Sequence, residues 1–325
     1  MTKHAGRFGM AIMLLSTFVL HDGLHAQTYP TKPVHVIVPY EPGAGADFIT
    51  RLFIPGLTEE MKVPFIVDNR GGATGSIGIG IAARSAPDGY TLVTVSGSHT
   101  ITQAFSKVPT YDLTRDFDSV ALLASTPYIL AVHPSIAANN IKELIALAKA
   151  NPGKLTFGSS GEGGGTHLAG ELLKFRAGID MLHVPYKGTA QAISDLVGGR
   201  LSMIFATQVM PQVKAGRVRA IAITSAERSA MAPDLPTVIE AGFSGFNVGA
   251  WFALSTPAGV PKPIVKRLND IVNKTAQIQD IGIKLMNQSS AEPLLGSPEQ
   301  AGAYIRDDIQ RWREIIEKAH ITLQQ

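Results

Sequence analysis

The chain has 325 residues, with 29 lysines and arginines against 26 acidic residues and a formal net charge of +3. Its basic residues are scattered and form no run, which excludes the electrostatic footprint of a nucleic-acid binder; with no cysteine there is no disulfide, no thiolate metal site and no cysteine nucleophile. Apolar residues make up 45% of the chain, enough for a large core, and the length exceeds the usual size of one domain, so two lobes are expected.

Lys3 and Arg7 precede an apolar run from Met10 to Leu20, and the small residue Ala26 follows. That is the pattern of a secretory signal peptide over residues 1–26. Its removal takes away two basic residues and one acidic one, leaving a charge of +2 and Gln27 at the N-terminus. No stretch reaches the ~18–20 unbroken apolar residues of a membrane span. The mature protein is therefore expected to be soluble and, without an N-terminal cysteine, free of a lipid anchor.

Val34, Val36 and Val38 alternate with His35 and Ile37 in a β-branched run that reads as a strand. Pro39 and Pro42 stop it, and Gly43 and Gly45 permit backbone angles closed to other residues. Asp47 stands where a helix N-cap is wanted, ahead of Phe48, Ile49, Leu52 and Phe53 at helical spacing. A helix that opens directly after a glycine turn aims unpaired N–H groups and its positive end at whatever fills the turn, a favourable place for an anion. A second loop of the same kind runs from Gly158 to Thr166.

Pro64 to Val67 is a short second strand, followed by a helix carrying Ile77, Ile81 and Ala82. Within it Gly78-x-Gly80-x-x-Ala83 matches the loose dinucleotide fingerprint. The glycines lie inside the helix, however, and no acidic residue follows ~20 positions on to hold a ribose, so no such cofactor is expected. Tyr90 to Val95 is a third strand, and Ser96-Gly97-Ser98-His99 a polar loop at its end. Three strands alternating with helices, each ending in a glycine or serine loop, describe a parallel α/β sheet with ligand-facing carboxyl ends.

Asp118 to Ala124 and Tyr128 to His133 read as strands with Pro127 between them, a crossing from one lobe to the other. A helix at Ile141 to Ala148 opens the second unit. Strands at Leu155–Gly158, Met181–Val184, Leu201–Phe205 and Val218–Ile223 follow, with helices at Leu168–Phe175 and Ala190–Val197. Phe246 to Leu254 is an apolar strand leading back. Helices at Pro263–Asn273 and Pro298–Lys318 are expected to brace the first lobe, with Tyr304, Ile305, Ile309, Trp312, Ile315 and Ile316 on one core-packing face. Residues 27–128 and 250–325 then form lobe 1, and residues 129–249 lobe 2.

Six segments together resemble one known family: YPTKPVHVIVPYEPGAGAD, VDNRGGATGSIGIG, APDGYTL, GSSGEGGGTHLAGELLK, HVPYKGTAQAISDLVGGRL and VRAIAITSAERSAMAPDLPTVIEAGFSGF. In order and spacing they are similar to the periplasmic receptors of the tripartite tricarboxylate transporter system, the Bug family of substrate-binding proteins. The resemblance implies an α/β, two-lobed periplasmic-binding-protein fold (type II-like), its lobes joined by crossing strands with a small carboxylate-bearing ligand shut in the cleft. It implies a periplasmic monomer that delivers a small organic acid to inner-membrane transporter subunits, or alternatively presents it to a membrane sensor kinase, with no cofactor, metal or nucleic acid.

The same resemblance assigns first-lobe contacts to Tyr40, Gly43, Ala44, Gly45 and Asp47, with Ser96 and Ser98 from the third strand's end. The second lobe would contribute Ser159, Ser160, Gly161, Thr166 and His167, then Tyr186, Lys187, Gly188 and Thr189. Hydroxyls and helix-start N–H groups can bind a carboxylate without a full counter-charge, and the Tyr40 ring offers a flat apolar wall. Asp47 serves equally well as a helix cap, and Lys187 as a solvated turn residue. His167 and His183 read as structural, and Asp307 and Asp308 as a solvated face. This chain departs from the family in carrying Ala44 between Gly43 and Gly45, whose methyl narrows the loop mouth, and in His35 and Ser202, where arginine and aspartate are common; these changes bear on which ligand fits.

An enzyme is the competing class. Gly158-Ser159-Ser160-Gly161-Glu162 lacks the last glycine of a hydrolase nucleophile elbow, and neither a paired-histidine metal motif nor a phosphate-binding P-loop occurs.

Overall fold

The computed structural model describes residues 29–106, 110–318 and 321; the expected signal peptide lies outside them. The first unit runs β1 (Val34–Val38), α1 (Gly45–Met61), β2 (Phe65–Asn69), α2 (Ser76–Ala83), β3 (Thr91–Ser96), α3 (Gly97–Phe105) and β4 (Phe117–Pro127). The second runs β5 (Ile129–Val132), α4 (Ile141–Ala150), β6 (Thr156–Ser159), α5 (Gly165–Ala177), β7 (Leu182–Pro185), α6 (Thr189–Val197), β8 (Met203–Phe205), α7 (Met210–Lys214) and β9 (Arg219–Ile223). The chain then returns through β10 (Gly249–Pro257), α8 (Lys262–Ala276), α9 (Gln279–Ser289), β11 (Glu292–Pro293) and α10 (Pro298–Lys318). Among these described residues no helix is long and apolar enough to cross a membrane.

Two sheets result, ordered β11-β4-β10-β3-β1-β2 and β7-β6-β8-β5-β9. In the first, β2, β1 and β3 are parallel as their glycine-loop units require, while β10 enters antiparallel between β3 and β4. In the second, β7, β6 and β8 are parallel and β5 is antiparallel to both β8 and β9. Both are mixed α/β sheets, with an antiparallel strand at the crossing, β10 in one and β5 in the other, lying inside the sheet.

The first sheet is covered on both faces. Val34 and Val36 pack with Ile49, Phe53 and Leu57 of α1, whereas Ile37 packs on the other side with Ile79 of α2 and Ile305 of α10. A side chain buried in this way contributes roughly 1.5–3 kcal/mol before ordering costs. Of Ile77, Ile81 and Ala82, which the sequence placed on α2, Ala82 is buried with Gly78, Ile79 and Gly80, whereas the two isoleucines are exposed. The small residues face inward because the helix lies close to the Pro39 turn, where a β-carbon at Gly78 would collide with Pro39.

The chain passes between sheets at Tyr128 and again at Val248, and the two passages lie side by side, with Gly249 registered on Pro127. Thr224, just after β9, ties them together. Its Oγ1 accepts from the Tyr128 N–H at 2.8 Å, and its carbonyl accepts from the Val248 N–H at 3.1 Å. α10 is a third link. Its first half (Ala301, Ile305, Ile309) belongs to the first sheet's core, and its last turns (Trp312, Ile315) belong to the core of the second.

Candidate functional site

Where the two sheets meet there is a cavity of about 240 Å³. Three loop-to-helix junctions open onto it: Ala44, Gly45 and Ala46 at the start of α1, Ser96, Gly97 and Ser98 at the start of α3, and Gly165 at the start of α5. The first N–H groups of each helix lack an acceptor within the helix, and each start carries roughly half a positive charge. No charged side chain lines this cavity among the described residues. The positive potential there comes from backbone.

Side chains add hydroxyls. Tyr40 Oη lies 2.7 Å from Ser96 Oγ, and Ser96 Oγ lies 3.0 Å from Ser98 Oγ, with Tyr40 and Ser98 also in contact. These three close a ring of hydrogen bonds in which each oxygen can donate to the next. An arriving anion can take one donor from the ring and leave the others paired. Burial pushes the Tyr40 phenol above its ordinary pKa against the opposing hydrogen bonds from the two serines, so it stays a neutral donor.

The expected polar loop from Ser96 to His99 is instead the opening of α3. Ser96 caps the helix, and His99 at its third position accepts the Ser96 N–H on Nδ1 at 2.9 Å. The His99 ring is fully buried, which drives its pKa down to about 3 and keeps it neutral. The serine–histidine spacing of a capping pair allows a helix to start with no intervening turn.

Tyr40, Ala44, Gly45, Ser96 and Ser98 all line the cavity. Gly43 and Asp47 are placed behind it. Gly43 adopts φ +82°, as the turn requires, whereas Gly45 is the first residue of α1 and needs no special angle. Ala44, not Asp47, is the N-cap. The buried Asp47 carboxylate accepts from Gly43 N–H (2.9 Å), Arg51 Nε (2.8 Å) and Asn69 Nδ2 (3.0 Å). Burial works against its ionisation, but those three donors hold its pKa below the usual carboxylate range. It braces the loop from within.

The second-lobe candidates form a cluster of their own, and none of the nine lines the cavity. Ser159 is fully buried, its Oγ 2.7 Å from His183 Nε2 and 3.0 Å from the Gly161 carbonyl. Ser160 donates its N–H to Thr166 Oγ1 at 3.0 Å, and the two hydroxyls lie 3.1 Å apart. His167 accepts from Gly163 N–H and stacks on His183 with ring centroids 3.9 Å apart. Burial, then the neighbouring His183, lowers the His167 pKa to about 4. Tyr186 donates to Asp195 at 2.7 Å. Gly188 caps α6, Thr189 begins it, and Lys187 is exposed with no ion pair among the described residues.

The remaining walls of the cavity were not singled out from sequence: Ile101, Tyr128, Gly249, Ala250, Trp251, Phe252 and Trp312. Tyr128 stands at the crossing with its hydroxyl against Gly165, where a β-carbon would strike it. Among the described residues that hydroxyl has no hydrogen-bond partner. Burial, and then the charge of Asp308, push its pKa up, so it is a protonated donor at the start of α5. An aromatic residue directly after Pro127 between two strands was the available signal.

Asp308 corrects the expectation of a solvated face. It is buried and accepts from Thr100 Oγ1 (2.5 Å), Trp251 Nε1 (3.1 Å), Trp312 Nε1 (3.2 Å) and Arg311. Three residues from Ile305 and four from Trp312, it falls on the inner face of α10 by helical spacing alone. His35 is exposed on β1, and Ser202 pairs with Thr156 between β8 and β6, so neither departure from the family pattern touches the cavity. Ala44 does line it. No cluster of His, Cys, Asp or Glu able to hold a metal occurs among the described residues.

Residues 49–321 match the model of the tripartite tricarboxylate transporter family receptor. Protein BugT of Bordetella pertussis is 33% identical over 315 residues, spanning 96% of this chain and 96% of that protein. Among solved structures, R. palustris Rpa4515 with adipate is 33% identical, with a TM-score of 0.71 over 90% of this chain and 99% of that one. A ligand-free TctC solute-binding protein from Polaromonas is 26% identical with a TM-score of 0.82, covering 90% of this chain and all of that one.

Proposed function

The chain belongs to the tripartite tricarboxylate transporter receptor family and is a solute-binding receptor of that class; from this we propose that it works in the periplasm as a non-catalytic monomer that captures a small organic acid by its carboxylate. The observation that carries the ligand class is the meeting of three helix starts and a hydroxyl ring on a cavity without charged walls. Such a site stabilises one negative charge through fixed dipoles and neutral donors, and water retained between lobe and ligand costs little. That Rpa4515 is a structure with adipate supports the same chemistry.

Capture proceeds by closure. Tyr40, Ala44, Gly45, Ser96 and Ser98 hold the carboxylate first, with Gly43 and Asp47 setting the loop. The second-lobe set of Ser159, Ser160, Gly161, Thr166, His167, Tyr186, Gly188 and Thr189 then closes over it, led by Gly165 of the same loop, which already reaches the cavity, while the exposed Lys187 stays solvated. The higher TM-score to a ligand-free relative than to the adipate-bound one supports an open starting state. Closure requires a ligand that binds the closed form better than the open one.

The closest approach to catalytic machinery is the Ser159–His183 contact. Ser159 is 0% exposed and its hydroxyl is shared with Gly161, while no carboxylate hydrogen-bonds to His183 among the described residues, which supports a structural pair. The closed receptor delivers its ligand to the inner-membrane subunits, and comparing ligand uptake with ligand-induced transcription in a deletion strain separates transport from presentation to a sensor kinase. Titration calorimetry with carboxylic acids and their amides tests the ligand class. The acids are expected to bind and the amides to fail; equal binding of both overturns the carboxylate reading.

A further inference from the structure

This inference rests on the carboxylate-receptor reading and concerns the rest of the ligand. We propose that the site selects a monocarboxylate whose body beyond the carboxylate is an apolar ring or short hydrocarbon, and discriminates against a second carboxylate. Apart from the helix starts and the hydroxyl ring, the walls are Ile101, Trp251, Phe252, Trp312 and the Tyr128 ring. The two indoles would ordinarily offer N–H donors to a polar ligand. Both are committed instead to the buried Asp308 carboxylate, at 3.1 and 3.2 Å, which also takes the Thr100 hydroxyl. What the indoles present to the cavity is π-face and hydrocarbon.

A dicarboxylate would bring its second charge against these walls. There it would lose water and meet neither a cation nor an indole donor, a costly burial. The Asp308 charge also reaches the cavity from behind, where it helps push up the Tyr128 phenol after burial has done so. Arg311 is committed to that carboxylate, so it offers a second anion no free cation.

The chain has two tryptophans, Trp251 and Trp312, and both line this cavity, so intrinsic fluorescence reports on it directly. The test titrates the full mature chain with benzoate, cyclohexanecarboxylate, adipate, malate and benzamide, read by calorimetry and tryptophan emission. The ring monocarboxylates are expected to bind about tenfold or more tightly than either dicarboxylate and to change the emission. In Asp308→Asn, which keeps an oxygen acceptor for the indoles and leaves the Arg311 guanidinium without its carboxylate, adipate is expected to gain on benzoate by about threefold or more. Adipate or malate binding as tightly as the ring acids in the parent protein overturns this inference and leaves the carboxylate reading standing. Benzamide binding as tightly as benzoate overturns the carboxylate reading, and this inference with it. Failure of every acid overturns both.

Discussion

The two glycine loops are alike in sequence and opposite in how they use their donors. At the first, the backbone after Gly43 opens straight into α1 with its N–H groups facing a cavity, and the one acidic side chain, Asp47, is turned inward and held by Arg51 and Asn69. At the second, Ser159, Ser160 and Thr166 spend their hydroxyls on His183, Gly161 and each other, and only Gly165 reaches the cavity. A glycine-serine loop is thus no guarantee of an open binding surface. On the proposed reading the first lobe is preorganised for an anion, and the second exchanges internal hydrogen bonds for ligand contacts as it closes.

The largest effect that bears on this contrast is structural. Trp312 joins the core of the second sheet from a helix rooted in the first, so Trp312→Ala should cost about 3–5 kcal/mol, a fall of order ten degrees in melting temperature. A fall of only a degree or two would mean that α10 does not hold the lobes together. Next is the preorganised side. Tyr40→Phe removes a donor to a charged group, worth roughly 1.5–3 kcal/mol, and should weaken binding about ten- to a hundredfold by calorimetry.

On the self-bonded side the loss should be smaller. In Thr166→Ala the ligand loses a hydroxyl that first had to leave Ser160, a net contribution of roughly 0.5–1.5 kcal/mol, or about tenfold at most in Kd. Thr166→Ala exceeding Tyr40→Phe would invert the contrast between the lobes. The pH response is common to both sides. His167 has a pKa near 4 when folded and His99 one near 3, both below the histidine value of 6.5, because burial disfavours their charged forms. The unfolded chain therefore takes up protons first. Stability should be level above pH ~6.5 and fall as pH drops from ~6.5 towards 4, and thermal melts across that range check the sign. The smallest changes are expected at Lys187→Ala, which is exposed, and Ser202→Asp, which lies outside the cavity: ligand Kd should move less than about twofold in each.

What the sequence made legible was local. β1, its glycine turn, α1 and the hydroxyls of Ser96 and Ser98 follow from spacing within a few residues, and each strand–helix unit was recognisable from its punctuation. What it hid was long-range. Asp308 meets Thr100 across 208 positions, and Tyr128 meets the start of α5 through the crossing, contacts that no local pattern encodes. Trp312 was correctly expected in a core. Its second role as a cavity wall depends on where α10 ends relative to both sheets. The second-lobe residues came as a set from the family resemblance; that their hydroxyls face one another could not be read from a string of serines and glycines.

The most direct test of the neutral-donor site is a crystal structure of the complex with a bound acid. Carboxylate oxygens are expected within about 2.7–3.1 Å of backbone N–H groups at the starts of α1 and α3 and of the Tyr40, Ser98 or Tyr128 hydroxyl, with no lysine or arginine nitrogen in contact. A carboxylate held instead by Lys187 Nζ, with the helix starts unoccupied, would contradict it.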